Sequence, residues 1–198
     1  MAAAVISACT TVVVAALVFA LNQYAQMRAE RRQARLARIN TQLRELYGPL
    51  YVLVDVNECI YRGLMAAGLP GKGDRTKDTL AVGWKKWLDH ALFPANVRMR
   101  DLILSNGDLL REEAMPDELR MFCAHVSSFE VSRATGTQGA EADGAYIGHP
   151  GDAYPAYVRG AYAALKREQR ELLTAEEQGR RYRVRRRPAP RPPAPRSY

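Results

Sequence analysis

Two absences organise this chain: no charged residue between Ala2 and Leu21, and no acidic residue after Glu177. Cysteine is scarce as well. Cys9, Cys59 and Cys123 form an odd set without regular spacing, which excludes a disulfide framework and fits a reducing compartment. No Asn-x-Ser/Thr sequon occurs, so nothing marks a glycosylated outer face. No segment alternates apolar and polar residues between hairpin turns, and no internal repeat is evident.

The uncharged opening is about 20 residues long, the length a helix needs to cross a hydrocarbon core about 30 Å thick. A cleaved export signal would carry positive charge ahead of the apolar run, where only the α-amino group stands. Val18-Phe19-Ala20 keeps that reading open, and a helix buried in a soluble core is the other alternative. Arg28, Arg31, Arg32, Arg35 and Arg38 come next, opposed only by Glu30. Arginine close behind a span holds that flank in the cytoplasm, where these five are expected to meet anionic lipid. The pattern predicts a single-pass anchor over 1–22. Its N-terminus is expected outside and the bulk of the chain cytoplasmic, in a bacterial inner membrane or an organelle membrane.

The net charge of +8 is a local property. The tail GRRYRVRRRPAPRPPAPRSY carries eight arginines, and without them 21 basic residues face 21 acidic ones. Arginine–proline sequence buries little apolar area, so 179–198 is predicted to be disordered, with its prolines favouring a polyproline helix. Arg180, Arg181, Arg183, Arg185, Arg186 and Arg187 suit an anionic leaflet. Arg187, Pro190 and Pro193 fit an Arg-x-x-Pro-x-x-Pro ligand of a proline-reading domain. Nucleic acid, with Tyr182 and Tyr198 to stack, ranks behind lipid and protein as partner.

Between anchor and tail the sequence predicts a mainly α protein: a basic juxtamembrane helix over 23–47, then a bundle of four or five helices over 48–178. Leu36, Ile39, Leu43, Leu46, Leu50 and Leu53 form one apolar stripe, read as core with self-association as the alternative. Gly48-Pro49 marks a kink or restart. A flexible loop is expected at 68–77, with Asp78 capping a helix that turns Trp84, Trp87, Leu88 and Leu92 to one side. Pro94 restarts or bends it, Asn106-Gly107 stops the next face, and Pro116 opens a helix bearing Leu119, Phe122, Val126 and Phe129. A second loop covers 135–153. A last helix is predicted from about Pro155 to Gln178, with Val158, Tyr162, Leu165 and Leu172 inward.

LYGPLYVLVDVNE (46–58), the tryptophan of KKWLDH, FPANVRMRDLILSNGDLL (93–110), MPDELRMFCAHVSSFE (115–130) and YPAYVRGAYAALKREQRELL (154–173) succeed one another in a distinctive order. In that order the chain resembles a group of uncharacterised, mostly bacterial helical proteins, over about residues 36–173. The resemblance implies a shared helical fold and imports no activity. The arginine–proline tail and the length of the second loop have no match in the group.

No motif names a reaction. GLPGKG has Ala66 five before Gly71 and Gly73 after Lys72, and it comes after a helix, so it is no phosphate loop. Cys123 and His125 lack a second pair at zinc spacing, and the Glu-x-x-His pairs of a di-iron bundle are missing. Asp89-His90 and His149 stand alone in sequence. Asp55 and Glu58 sit on successive turns as a conceivable acid–base pair, and His125 reads as a hydrogen-bonded core histidine. No catalytic residue, cofactor or metal is assigned. The expected role is a membrane-anchored interaction module, an adaptor or accessory subunit with a protein partner or a second copy of itself. The alternative is a helical enzyme or ligand-binding domain whose site forms only on folding.

Overall fold

A computed structural model describes residues 2–68, 82–135 and 147–185, and among these residues there is no strand. Most of the 68–77 loop, the Asp78 cap and residues 186–198 of the tail lie outside the described residues, as does most of the 135–153 loop. Helix α1 covers Ala2–Thr41, α2 Gly48–Ala66, α3 Val82–Trp87, α4 Phe93–Ser105, α5 Asp117–Ala134 and α6 Ala153–Arg185. The chain divides into two compact units, Met1–Ala37 with Arg167–Tyr198, and Arg38–Lys166.

Within the second unit, wide π-helical turns occupy Gln42–Tyr47 and Leu88–Leu92, each just ahead of an X-Pro pair. Pro49 has no N–H for the carbonyl of Glu45, and its ring would run into that carbonyl in a regular α-helix. Widening the turn removes the conflict: the N–H of Gly48 donates to Leu43, five residues back. Phe93 donates to Leu88 in the same way ahead of Pro94.

The wide turn also changes which leucines reach the core. Ile39, Leu46 and Leu50 are buried as the stripe predicts, but Leu43 and Leu53 are half-buried and Val54 takes the inner place. A π turn holds more residues than an α turn, so the inward register slips by one beyond it. Trp84 and Leu92 are buried, Leu88 half-buried, and Trp87 is 49 % exposed. Trp87 lies about 60° around the helix from Trp84, at the edge of the predicted face.

Leu119, Phe122, Cys123 and Val126 of α5, Tyr154, Val158, Ala161 and Leu165 of α6, and Met99 and Ile103 of α4 are all buried. The rings of Phe122 and Tyr154 stack at 3.8 Å, and Tyr51 stacks on Tyr162 at 4.5 Å. Phe129 meets Phe93 edge-on at 5.3 Å. The Tyr154 hydroxyl points to Met99 Sδ at 3.4 Å. Gly68, at φ +88°, ends α2 in the left-handed region that favours glycine. Asn106 closes α4 by donating from Nδ2 to Leu102 O at 2.9 Å, and Pro116 precedes α5 as expected.

Helix α6 continues past Gln178 to Arg185, so Arg180, Arg181, Arg183 and Arg185 lie on helix rather than in the predicted disordered tail. Gly179 does not end the helix, since an interior glycine costs only about 1 kcal/mol. The arginines and glutamates around it are good helix formers, and the first proline comes at Pro188.

Candidate functional site

In the first unit, every described side chain from Val12 to Arg28 is exposed, among them Val12, Val13, Val14, Leu17, Val18 and Phe19. This helix is long and apolar enough to cross a membrane and lies near the N-terminus. Arg28, Arg31, Arg32, Arg35 and Arg38, the last at the start of the second unit, lie further along the same helix, all exposed. At 100° per residue they fall within an arc of about 120°, with Glu30 on the far side. Arg28 lies 4.5 Å over the Tyr24 ring, and Arg35 pairs with Glu168 at 2.5 Å. The sequence identifies these arginines but not Glu168, which stands 133 positions away.

In the second unit, the residues with chemical potential are engaged in holding helices together. Asp55 and Glu58 share one partner: Arg159 Nη2 reaches Asp55 Oδ1 at 2.8 Å and Glu58 Oε2 at 2.7 Å. Glu58 first, then Asp55, raises the guanidinium's pKa further. Their spacing on successive turns serves a fork from α6. Arg133 pairs with Asp89 and covers the Phe93 ring at 4.8 Å, while Arg100 pairs with Glu130 and Asp101.

A directed chain of hydrogen bonds crosses the domain. The Arg111 N–H donates to the Tyr47 hydroxyl at 3.2 Å, and Tyr157 donates to Glu112 at 2.8 Å. With those two bonds made, Tyr47 donates to Tyr157 across 3.3 Å. Gln42 adds a bond to Leu109 O at 3.0 Å. Together they fix the segment between α4 and α5.

His125 is half-buried on α5, with Nδ1 at 2.7 Å from Ile147 O. A carbonyl only accepts, so Nδ1 carries the proton. His149 has the opposite tautomer, because its Nδ1 accepts the Gly151 N–H at 3.0 Å. The two imidazoles meet edge to face at 5.0 Å. Ile147 also donates to Ser128 Oγ at 3.3 Å, so the end of the second loop is tied to α5. Among the described residues no three His, Cys, Asp or Glu side chains stand together as metal ligands would.

No family model, curated protein or solved structure matches this chain. Folding brings Asp55 and Glu58 to Arg159, and His125 to His149 and Ile147, as two separate sets of partners. Of the tail residues, Arg186, Arg187, Pro190 and Pro193 lie outside the described residues.

Burial sets the acid chemistry of the core. The Cys123 thiol is pushed up to about 11 by desolvation, so it is protonated at neutral pH and a poor nucleophile. Burial raises Tyr47, Tyr154 and Tyr157 too, Tyr157 also through its bonds to Tyr47 and Glu112. In each case the folded pKa is the higher one. The stability linked to Cys123 is thus fully present below the ordinary thiol range near 8.5 and lost as pH climbs toward 11. Denaturant midpoints measured from pH 8 to 11 should fall steadily, and a flat profile would contradict the burial of these groups.

Proposed function

We propose that the chain is a membrane-anchored helical interaction module, an adaptor or accessory subunit of a larger membrane assembly. The observation that carries this is the N-terminal helix: its described apolar side chains from Val12 to Leu21 are all exposed, and a one-sided arginine face begins within a few residues of them. An apolar surface of that extent on a free helix asks for lipid or protein cover. The arginines favour a cytoplasmic position for the residues beyond them. The enzyme alternative gains no support from Asp55 and Glu58, both engaged by Arg159, or from the protonated thiol of Cys123. The YGPL-to-MP motif order shared with the mostly bacterial helical group belongs to the same proposal. Its prolines fall at helix junctions, where they would fix a common domain shape.

Purification of the full chain from native membranes, beside a version ending at Glu177, tests the reading. A stoichiometric partner that departs with the shortened version makes the arginine–proline segment the working end. A partner kept by both places recognition on the helical domain. If neither brings a protein or a second copy of itself, the adaptor proposal fails. The shortened version should also unfold within about a degree of the full chain, since surface changes away from packed features stay within about 0.5 kcal/mol. A loss of several degrees would mean that residues 178–198 pack on the fold.

A further inference from the structure

Between Trp84 and Met99, both buried, the exposed residues are Lys85, Lys86, Trp87, His90, Pro94 and Arg98. No acid is exposed in that stretch. Asp89, the one acidic residue within it, is half-buried and ion-paired to Arg133. Trp87, His90, Pro94 and Arg98 step by 3, 4 and 4, and the two lysines directly precede the tryptophan. The exposed side chains of α3 and the first turns of α4 are therefore basic or neutral, and among them is an indole that is 49 % exposed.

We infer that this stripe is a docking surface for an anionic bilayer, with Trp87 seated at headgroup depth and Lys85, Lys86 and Arg98 on lipid phosphates and carboxylates. Indole is the ring that membrane interfaces favour, apolar in body and able to donate from its N–H. Lysine and arginine extend apolar stems while their charged heads stay in the polar layer. Charge complementarity selects the partner: three exposed cations with no exposed acid between them suit a diffuse negative surface. Nucleic acid is the weaker fit, because one ring offers a single stacking platform and a convex helix face forms no groove. The inference rests on the anchored reading above in one respect: an inserted helix would tether the chain to the membrane and raise the effective concentration of the stripe there.

The test uses the full chain reconstituted into phosphatidylcholine vesicles and into phosphatidylcholine–phosphatidylserine vesicles. Tryptophan emission and its quenching by brominated lipid are read in each, beside Trp87→Phe, which leaves the buried Trp84 in place. The expected result is a blue shift and quenching in the anionic vesicles only, lost in Trp87→Phe and suppressed by salt. Replacing both lysines, Lys85→Gln with Lys86→Gln, should lower the bound-to-free ratio of the stripe about thirtyfold. Equal signals in the two vesicle types, or a response that survives the lysine replacements, would overturn the inference. So would a shift produced by single-stranded oligonucleotide and not by anionic vesicles. Flotation with phosphatidylcholine vesicles decides the anchor separately. A chain that floats while Trp87 stays unquenched keeps the anchor and loses the stripe, and a chain that does not float can still be scored on anionic vesicles.

Discussion

A chain shortened by residues 1–21 is expected in the soluble fraction, whereas the full chain stays with membranes through high-salt washing. Burying an exposed valine, leucine or phenylalanine side chain contributes about 1.5–3 kcal/mol, and from Val12 to Leu21 seven such residues are exposed. Insertion of the whole segment would therefore hold by a wide margin. The arginines alone act differently, since their attraction to anionic lipid is screened over about 10 Å at 0.1 M salt. Any attraction of the shortened chain to anionic vesicles at low salt must therefore vanish at high salt. Its retention at high salt would mean that another part of the chain, or a partner, supplies the hold. Sequencing the N-terminus of the mature full chain separates anchor from export signal, because a signal would be cut near Ala20.

The second large effect falls on a glycine. Gly48→Ala is expected to destabilise the domain by about 2–3 kcal/mol, as overpacking of a close contact does. A Cβ at this position would stand 2.2 Å from the Leu43 carbonyl oxygen, the oxygen that accepts the Gly48 N–H. The wide turn has to open or lose its bond, and Pro49 prevents a return to regular α geometry. Gly63→Ala in α2 and Gly160→Ala in α6 provide the contrast. Nothing lies within 4 Å of a Cβ at either site, and both lie in helices. Each should stabilise by about 0.5–1 kcal/mol, because alanine has less freedom to lose on folding. Denaturant midpoints of the three variants should therefore move in opposite directions. A neutral Gly48→Ala would show that the wide turn is not needed.

The helical class and several boundaries are legible in the sequence because local chemistry sets them. Asn106 ties off its own helix, Pro116 starts the next, and the 3–4 spacing through Ile39, Leu46 and Leu50 marks a core face. The register slip to Val54 is not legible, since it comes from a π turn whose signal, an X-Pro pair, equally fits a kink or a restart. The polar groups are hidden for another reason. Tyr47 and Tyr157 are 110 positions apart, and Asp55 and Arg159 are 104 apart. Nothing local in α2 announces which residue of α6 will meet it. The exposed lysine–tryptophan stripe is obscured differently: helical spacing alone puts Trp87 on the face of Trp84, and only their unequal burial separates the two.

The hydrogen-bond chain through Tyr47, Tyr157 and Glu112 has a consequence for biosynthesis. Its members come from three points along the chain, and the latest to be made lies on α6. Ribosomes deliver about 5–20 residues each second, and domains fold as units. Until residues 154–165 have emerged, the α5 face bearing Phe122 lacks Tyr154 and the Tyr47 hydroxyl lacks its acceptor. The helices can form as they are made, but the contacts of Tyr154 and Tyr157 wait for α6. Nascent chains halted before Tyr154 should therefore remain open to protease between α4 and α5, a segment sealed only when the last helix arrives.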